Sequence, residues 1–599
     1  MKILLTAINA KYIHSNLAVY SLKAAAGKYA GQVELAEYTI NHQEEAIFRS
    51  VYQKKPDLLF LSCYIWNRSE VLALAENIHK VLPDTIIWAG GPEVSYDAEA
   101  FLKENPAFTG VMIGEGEQTF PEVLTYYIEG TGMLERIQGI AYREAKQNRM
   151  LQMAAKTEVS DSSSEQLSEH IVCTEARIPA KDLDEIPFVY ENLKQFENRI
   201  IYYETSRGCP FSCSYCLSSI DKKVRFRSLD LVFRELAFFL EQRVPQVKFV
   251  DRTFNCSHER ALAIWRFIQE HDNGVTNFHF EIAADLLNEE ELELLAKMRP
   301  GLVQLEIGVQ TVNEQTLQAI RRTASFEKIV QRVKKVAEAE NIHQHLDLIA
   351  GLPYEDFASF QHSFDTVYQL RPQELQLGFL KVLRGSHMHQ CAEEYGILYR
   401  SRPPYEVLAT NWISCDELLR LKEVEEMLEV YYNSQQFRNT MEALTQHSTP
   451  FELYAALADH YKVHELEGKS YSRAQRFEIL RNFIAEQKLP QQNFDELLLL
   501  DLYLRENAKS RPQWAPDLAA YQKEIIQFYQ QEEQEHRYLS GYEGMTWKQM
   551  MRMTHLEPFT DEEGTMRWRL FDYQKRNPLT GDAQLTELPY LNEARADRT

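Results

Sequence analysis

The stretch RGCPFSCSYC, residues 207–216, places three cysteines within eight positions: Cys209, Cys213 and Cys216. The 599-residue chain holds only eight cysteines in all. A structural zinc site wants four closed ligands, and the next cysteine, Cys256, lies 40 residues on, with His258 close to it. A redox dithiol needs only C-x-x-C and leaves Cys209 unexplained. Three thiolates with one open position suit a 4Fe-4S cluster better, because such clusters normally take four protein ligands and a missing fourth frees one iron for another molecule.

The cysteines follow RIIYYETS (199–206), which reads as a strand. Five more candidate strands come after it: QVKFVD (246–251), NFHFEIA (277–283), LVQLEIGV (302–309), HLDLIAG (345–351) and ELQLGFLKV (374–382). Helical patterns separate them. Six βα units over residues 196–400 predict a partial (β/α)6 barrel of TIM type, with its chemistry at the strand C-termini.

Upstream, residues 1–130 alternate strand and helix in the same way. KILLTAI (2–8), VELAEYT (33–39), DLLFLSC (57–63), TIIWAGG (85–91) and GVMIGEG (110–116) predict a flavodoxin-like, doubly wound parallel sheet. Ligand-binding loops are then expected after strands 1, 3, 4 and 5: NAKYIHSN, SCYIWN, GGPEVS and GEGEQTF. Residues 131–195 read as a linker, with the polar DSSSEQLSEH (161–170) as a mobile loop. Residues 401–599 show apolar spacing of i, i+3, i+4 and read as a mainly helical C-terminal domain. Its tryptophans, among them Trp412, Trp514 and Trp547, are expected in its core. The fold class is therefore α/β, with a helical domain appended.

Composition narrows the partners. No run approaches the ~18 apolar residues of a membrane span, and MKILLTAINAKYIHSN reads as a buried first strand rather than a signal peptide. A cytoplasmic location follows, where thiols stay reduced. The net charge of −23 discounts nucleic acid.

CPFSCSYC resembles the C-x₃-C-x-φ-C motif of the radical S-adenosylmethionine superfamily, with Tyr215 at the aromatic position. The resemblance implies that Cys209, Cys213 and Cys216 hold the cluster. It further implies that the open iron chelates S-adenosylmethionine, whose reductive cleavage gives methionine and a 5′-deoxyadenosyl radical. Other strand ends resemble the family less closely. Glu281 resembles the ribose-binding position. Glu306 and Gln310 resemble residues facing the cofactor or substrate. In LDLIAGLP, Gly351 and Pro353 resemble the turn that packs the adenine. The Gly-Gly-Glu of many members is absent from FVDRTFN, where Asp251 is the polar candidate. The plain alternative for each is a strand-end residue that caps the next helix or pairs with an arginine. The arginines of VRFRS (224–228) are read either as a feature of the cobalamin branch or as solvated surface.

GGPEVSYDAE and GEGEQTF resemble the cobalamin-binding domain of the cobalamin-dependent branch, which implies corrin contacts at Gly90, Gly91 and Glu115. Ser62 stands where that branch uses Ser-x-Leu, with Tyr64 in place of the leucine. Aligning the D-x-H-x-x-G lower-ligand motif on His14 puts Tyr12 and Leu17 in the Asp and Gly places, so His14 is read either as a cobalt ligand or as a packing residue. A domain that binds a nucleotide, or no ligand, is the alternative, although no GxGxxG follows strand 1.

The resemblance implies a 4Fe-4S cluster, S-adenosylmethionine and cobalamin as cofactors. It implies a reductant such as flavodoxin or ferredoxin and a small-molecule or peptide substrate. The favoured reaction is methylation of an unactivated carbon. The alternatives are a radical rearrangement, oxidation or cyclisation, or a non-catalytic iron–sulfur sensor or electron carrier. A methylthiotransferase would carry a second three-cysteine set near its N-terminus, and residues 1–130 contain only Cys63.

Overall fold

A computed structural model describes residues 1–144, 170–190, 192–560 and 565–588. The first sheet has seven strands: β1 (Ile3–Asn9), β2 (Val33–Thr39), β3 (Leu58–Ser62), β4 (Ile86–Gly90), β5 (Gly110–Met112), β6 (Ile140–Arg143) and β7 (Ile171–Cys173). Their order is β2-β1-β3-β4-β5-β6-β7. The first five run parallel, with the predicted flavodoxin-like order. Successive residues feed opposite faces. Leu58 and Phe60 join one apolar core, while Leu59 and Leu61 join the other. Every residue of β3 is buried, as a strand covered on both faces requires.

The stretch expected as a linker is partly sheet. β6 pairs antiparallel with β5, and β7 with β6. Both strands are three or four residues long, too short to stand out as periodic patterns. The expected mobile loop at 161–170 lies, but for His170, outside the described residues.

The second sheet holds β8 (Ile201–Tyr203), β11 (Gln246–Phe249), β12 (Asn277–Ile282), β13 (Val303–Gln310), β14 (His343–Ala350) and β15 (Glu374–Phe379). Its order is β15-β14-β13-β12-β11-β8, and every pairing is parallel. This is the partial barrel. β9 (Ser206–Arg207) and β10 (Arg225–Phe226) form a small antiparallel ladder that brackets the cysteine loop.

After the short ladder of β16 (Leu398–Tyr399) and β17 (Val407–Ala409), the chain becomes helical from Cys415. It ends in a three-stranded antiparallel sheet, β18 (Thr554–Thr560), β19 (Met566–Arg576) and β20 (Ala583–Leu588). MTHLEPF belongs to that sheet and the helix before it, so the C-terminal domain is less uniformly helical than its periodicity predicts. Trp412 packs on Tyr354, and Trp514 and Trp547 pack against apolar cores. Among the described residues no helix is long and apolar enough to cross a membrane.

Candidate active site

The cysteine loop is held by its backbone. Gly208 has φ +97, and a Cβ there would lie 2.7 Å from the Lys223 carbonyl oxygen, so glycine alone fits. The Cys209 amide donates to Asp221 O, and the Ser214 amide to Ile320 O. Ser219 Oγ donates to the carbonyls of both Cys213 and Cys216. Cys209 and Cys213 are buried and Cys216 is half-buried. Burial pushes the Cys213 thiol up, while the neighbouring Arg322 guanidinium draws it down. Arg322 Nη1 lies 3.9 Å from Cys213 Sγ, and its Nη2 donates to Gly308 O on β13. Burial likewise raises the Tyr215 phenol. Among the described residues, the three thiols do not converge within 4.8 Å as ligands of one ion would.

Asp251 is buried and already committed. It accepts from the Thr205 amide at 2.7 Å, Thr205 Oγ1 at 2.5 Å and Ser206 Oγ at 2.8 Å, fixing the chain that leads into the loop. These contacts make Asp251 an anchor of the turn that leads into the cysteine loop.

Inside the barrel, alternate residues of β11 to β14 form a polar layer. Glu281 and Glu306 are register partners, and Glu306 pairs in turn with His345. Burial pushes the Glu281 carboxyl up to about 7, only partly opposed by Arg252 at 3.6 Å. Burial acts on Glu306 in the same direction, but His279 at 2.8 Å and Lys248 at 3.0 Å override it and hold the carboxyl well below its usual range. His345 Nε2 and Asp347 Oδ1 form an ion pair at 3.0 Å. Burial opposes the charge on His345, yet Asp347 carries its imidazole up to about 9. Gln310, with φ 73, ends β13, and its Oε1 is buried without a hydrogen-bond partner. Buried polar atoms of this kind call for a ligand or water. Gly351 and Pro353 form the turn after β14, with Gly351 against Val407.

The first domain carries a slot of about 350 Å³ at the ends of β3, β4 and β5. Ser62, Tyr64, Gly90, Gly91 and Glu115 line it. Gly91 has φ +115, and a Cβ there would meet the Cys63 carbonyl oxygen at 2.4 Å. Glu115 faces the slot but is also tied across the domains, to Arg225 at 2.5 Å and Arg207 at 3.4 Å. Arg225 and Arg227 are buried ion-pair residues rather than solvated surface. His14 stands elsewhere. Its Nδ1 lies 2.6 Å from the Tyr202 hydroxyl on β8, and it bridges to Ile200.

Arg322, Lys248, His279, His345, Asp347 and Arg207 were not among the residues expected at the site. NFHFE and HQHLDL place polar residues at every second position, the signal of an inward-facing polar layer. Arg322 meets Cys213 from 109 positions away, and Arg207, besides Glu204 three residues before it, meets Glu115 and Glu117 of the first domain.

Family models match three successive parts of the chain. A B12 binding domain matches residues 3–124 and the radical SAM superfamily matches residues 203–367. The chain carries a radical SAM domain behind an N-terminal B12 binding domain. Residues 393–571 match a protein of unknown function, DUF4080. Among curated relatives, a 2-(S-pantetheinyl)-carbapenam-3-carboxylate methyltransferase of Streptantibioticus cattleyicolor is 24% identical over 57% of this chain and 47% of its own length. The cobalamin-dependent radical SAM methyltransferase TokK of Streptomyces tokunonensis is 24% identical over 63% of this chain and 56% of its own. The chain thus spans about half the length of these relatives. The solved structure of the cobalamin-dependent S-adenosylmethionine radical enzyme OxsB, with aqua-cobalamin and S-adenosylmethionine bound, matches with a TM-score of 0.56 at 14% identity. That match covers 83% of this chain and 78% of OxsB, and it supports the fold.

Proposed function

We propose that this radical SAM protein is a cobalamin-dependent enzyme that cleaves S-adenosylmethionine reductively and methylates an unactivated carbon of a small-molecule or peptide substrate. The observation that carries the reading is the pairing of the three-cysteine loop with the glycine-walled slot, on two sheets whose C-terminal ends are joined by Arg207 and Glu117.

The residues fit both groups. Cys209, Cys213 and Cys216 offer three thiols on one backbone-held loop, the donor type that holds an iron–sulfur cluster. Gly90 and Gly91 leave the slot without side chains at its strand ends, as a bulky ligand requires. When bound, the cluster supplies the electron that cleaves the sulfonium, and cobalamin supplies a carrier for the methyl group.

The remaining work falls to the chain. Arg322 favours the thiolate form of Cys213, the form that binds iron. Glu281, with its carboxyl near neutrality, holds a proton at the lumen wall and is the candidate partner of the ribose. Gln310 offers a buried side-chain oxygen without a hydrogen-bond partner to substrate or cofactor. The burial of Cys209 and Cys213 keeps water from the loop. A flavodoxin or ferredoxin is the proposed electron donor.

The test is metal content and turnover of protein purified without oxygen. About four iron and one cobalt per chain, with 5′-deoxyadenosine formed from S-adenosylmethionine, is the expected result. Cys213→Ala should lose both iron and cleavage. Persistent cleavage in that variant would sink the proposal.

A further inference from the structure

A second set of ligating side chains lies far along the chain, in the helical region. His460 stands in the last turn of the helix Pro450–Val463, and His464 is that helix's C-cap, one turn on. Glu486 ends the helix Arg473–Glu486. His460 Nδ1 is 2.8 Å from Glu486 Oε2, and His464 Nε2 is 2.8 Å from Glu486 Oε1. Among the described residues this is the one group of three whose ligating atoms all lie within 4.8 Å of one another.

The setting favours a cation. Two helix C-termini converge here, and each carries partial negative charge from its unpaired carbonyls. A carboxylate at the same spot adds to that charge. Histidines at i and i+4 share one helix face, the spacing that lets two imidazoles meet one ion. His460 is only 5% exposed and packs on Phe483, which fixes its ring. His464 and Glu486 are 44% and 49% exposed, so ion and water have access.

We propose that His460, His464 and Glu486 bind a divalent cation of zinc type, joining the C-terminal turns of the two helices. Two imidazoles and one carboxylate are borderline donors that suit zinc, and three protein ligands leave a fourth position for water. The ion would replace the hydrogen bonds that now tie both rings to one carboxylate. It would also screen the two helix ends from each other.

The test uses the full chain with Cys209, Cys213 and Cys216 replaced by Ser, so that the loop thiols cannot take the probe. Zinc is titrated by calorimetry into this protein and into the same protein carrying His464→Ala or Glu486→Gln. Both altered side chains are half-exposed, and circular dichroism checks their folding. One zinc per chain is expected in the parent and none of comparable affinity in either variant, with a zinc-dependent rise in Tm confined to the parent. Equal zinc uptake by parent and variants, or no uptake by the parent, would overturn the site.

Discussion

His14 Nδ1 lies 2.6 Å from the hydroxyl of Tyr202, so the loop after β1 is fastened to the first strand of the barrel. The Ile200 amide donates to Ile13 O, and Ser15 Oγ to Ile200 O, on the same seam. Burial, together with Lys11 and Lys248, pushes the imidazole below its ordinary value, so it is neutral at pH 7. A histidine engaged in this way serves as a strut between domains. His14→Ala should therefore leave cobalt content unchanged and lower Tm by a few degrees. The cob(II)alamin form of the unaltered protein should lack nitrogen superhyperfine splitting in its electron paramagnetic resonance spectrum. Splitting that disappears in His14→Ala would instead make His14 the axial ligand.

Arg322 is the cation nearest Cys213. Without it, burial acts on the thiol unopposed and its pKa rises further. Below the pKa, each unit of rise leaves about tenfold less thiolate. Arg322→Ala should therefore take up iron more slowly at pH 7 and recover as pH is raised. Iron and sulfide assays across pH 7 to 9 read this directly. A defect that ignores pH would mean that Arg322 acts through its hydrogen bond to Gly308 alone.

Much of this architecture is legible in the sequence because parallel strands buried on both faces write continuous apolar runs, such as LLFLS at β3. The cysteine spacing is equally local. What escapes is set by distant residues. Arg207 meets Glu117 ninety positions away, and Asp251 reads as a free strand-end acid until Thr205 and Ser206 are seen to occupy it. β6 and β7 escape because three or four residues carry too little alternation to separate a strand from a loop.

Gly90 lines the slot, and a Cβ there would meet Met112 only at ordinary contact distance, 3.5 Å. The backbone thus tolerates a side chain while the slot loses volume. Gly90→Val should keep its iron and lose most of its cobalt, by at least tenfold in occupancy after reconstitution. Retained cobalt would show that the slot is not where the corrin or its tail resides.

Glu355 supports the turn beyond Pro353. It is 1% exposed and accepts hydrogen bonds from Thr311 and Ser363, while its Oε2 has no partner. Burial pushes its carboxyl from 4.5 up to about 7. The folded state therefore holds the proton more tightly than the unfolded one. Stability from this group is fully present below about pH 4.5 and is lost as pH rises through about 7. At 1.36 kcal/mol per pH unit the loss is on the order of 3 kcal/mol by pH 8. Glu355→Gln cannot ionise, so it escapes this loss. Its Tm should lie at or below that of the unaltered protein at pH 5 and above it at pH 8. Thermal scans at the two pH values decide the matter, and a Gln variant that falls further behind as pH rises would mean that Glu355 is ionised in the fold.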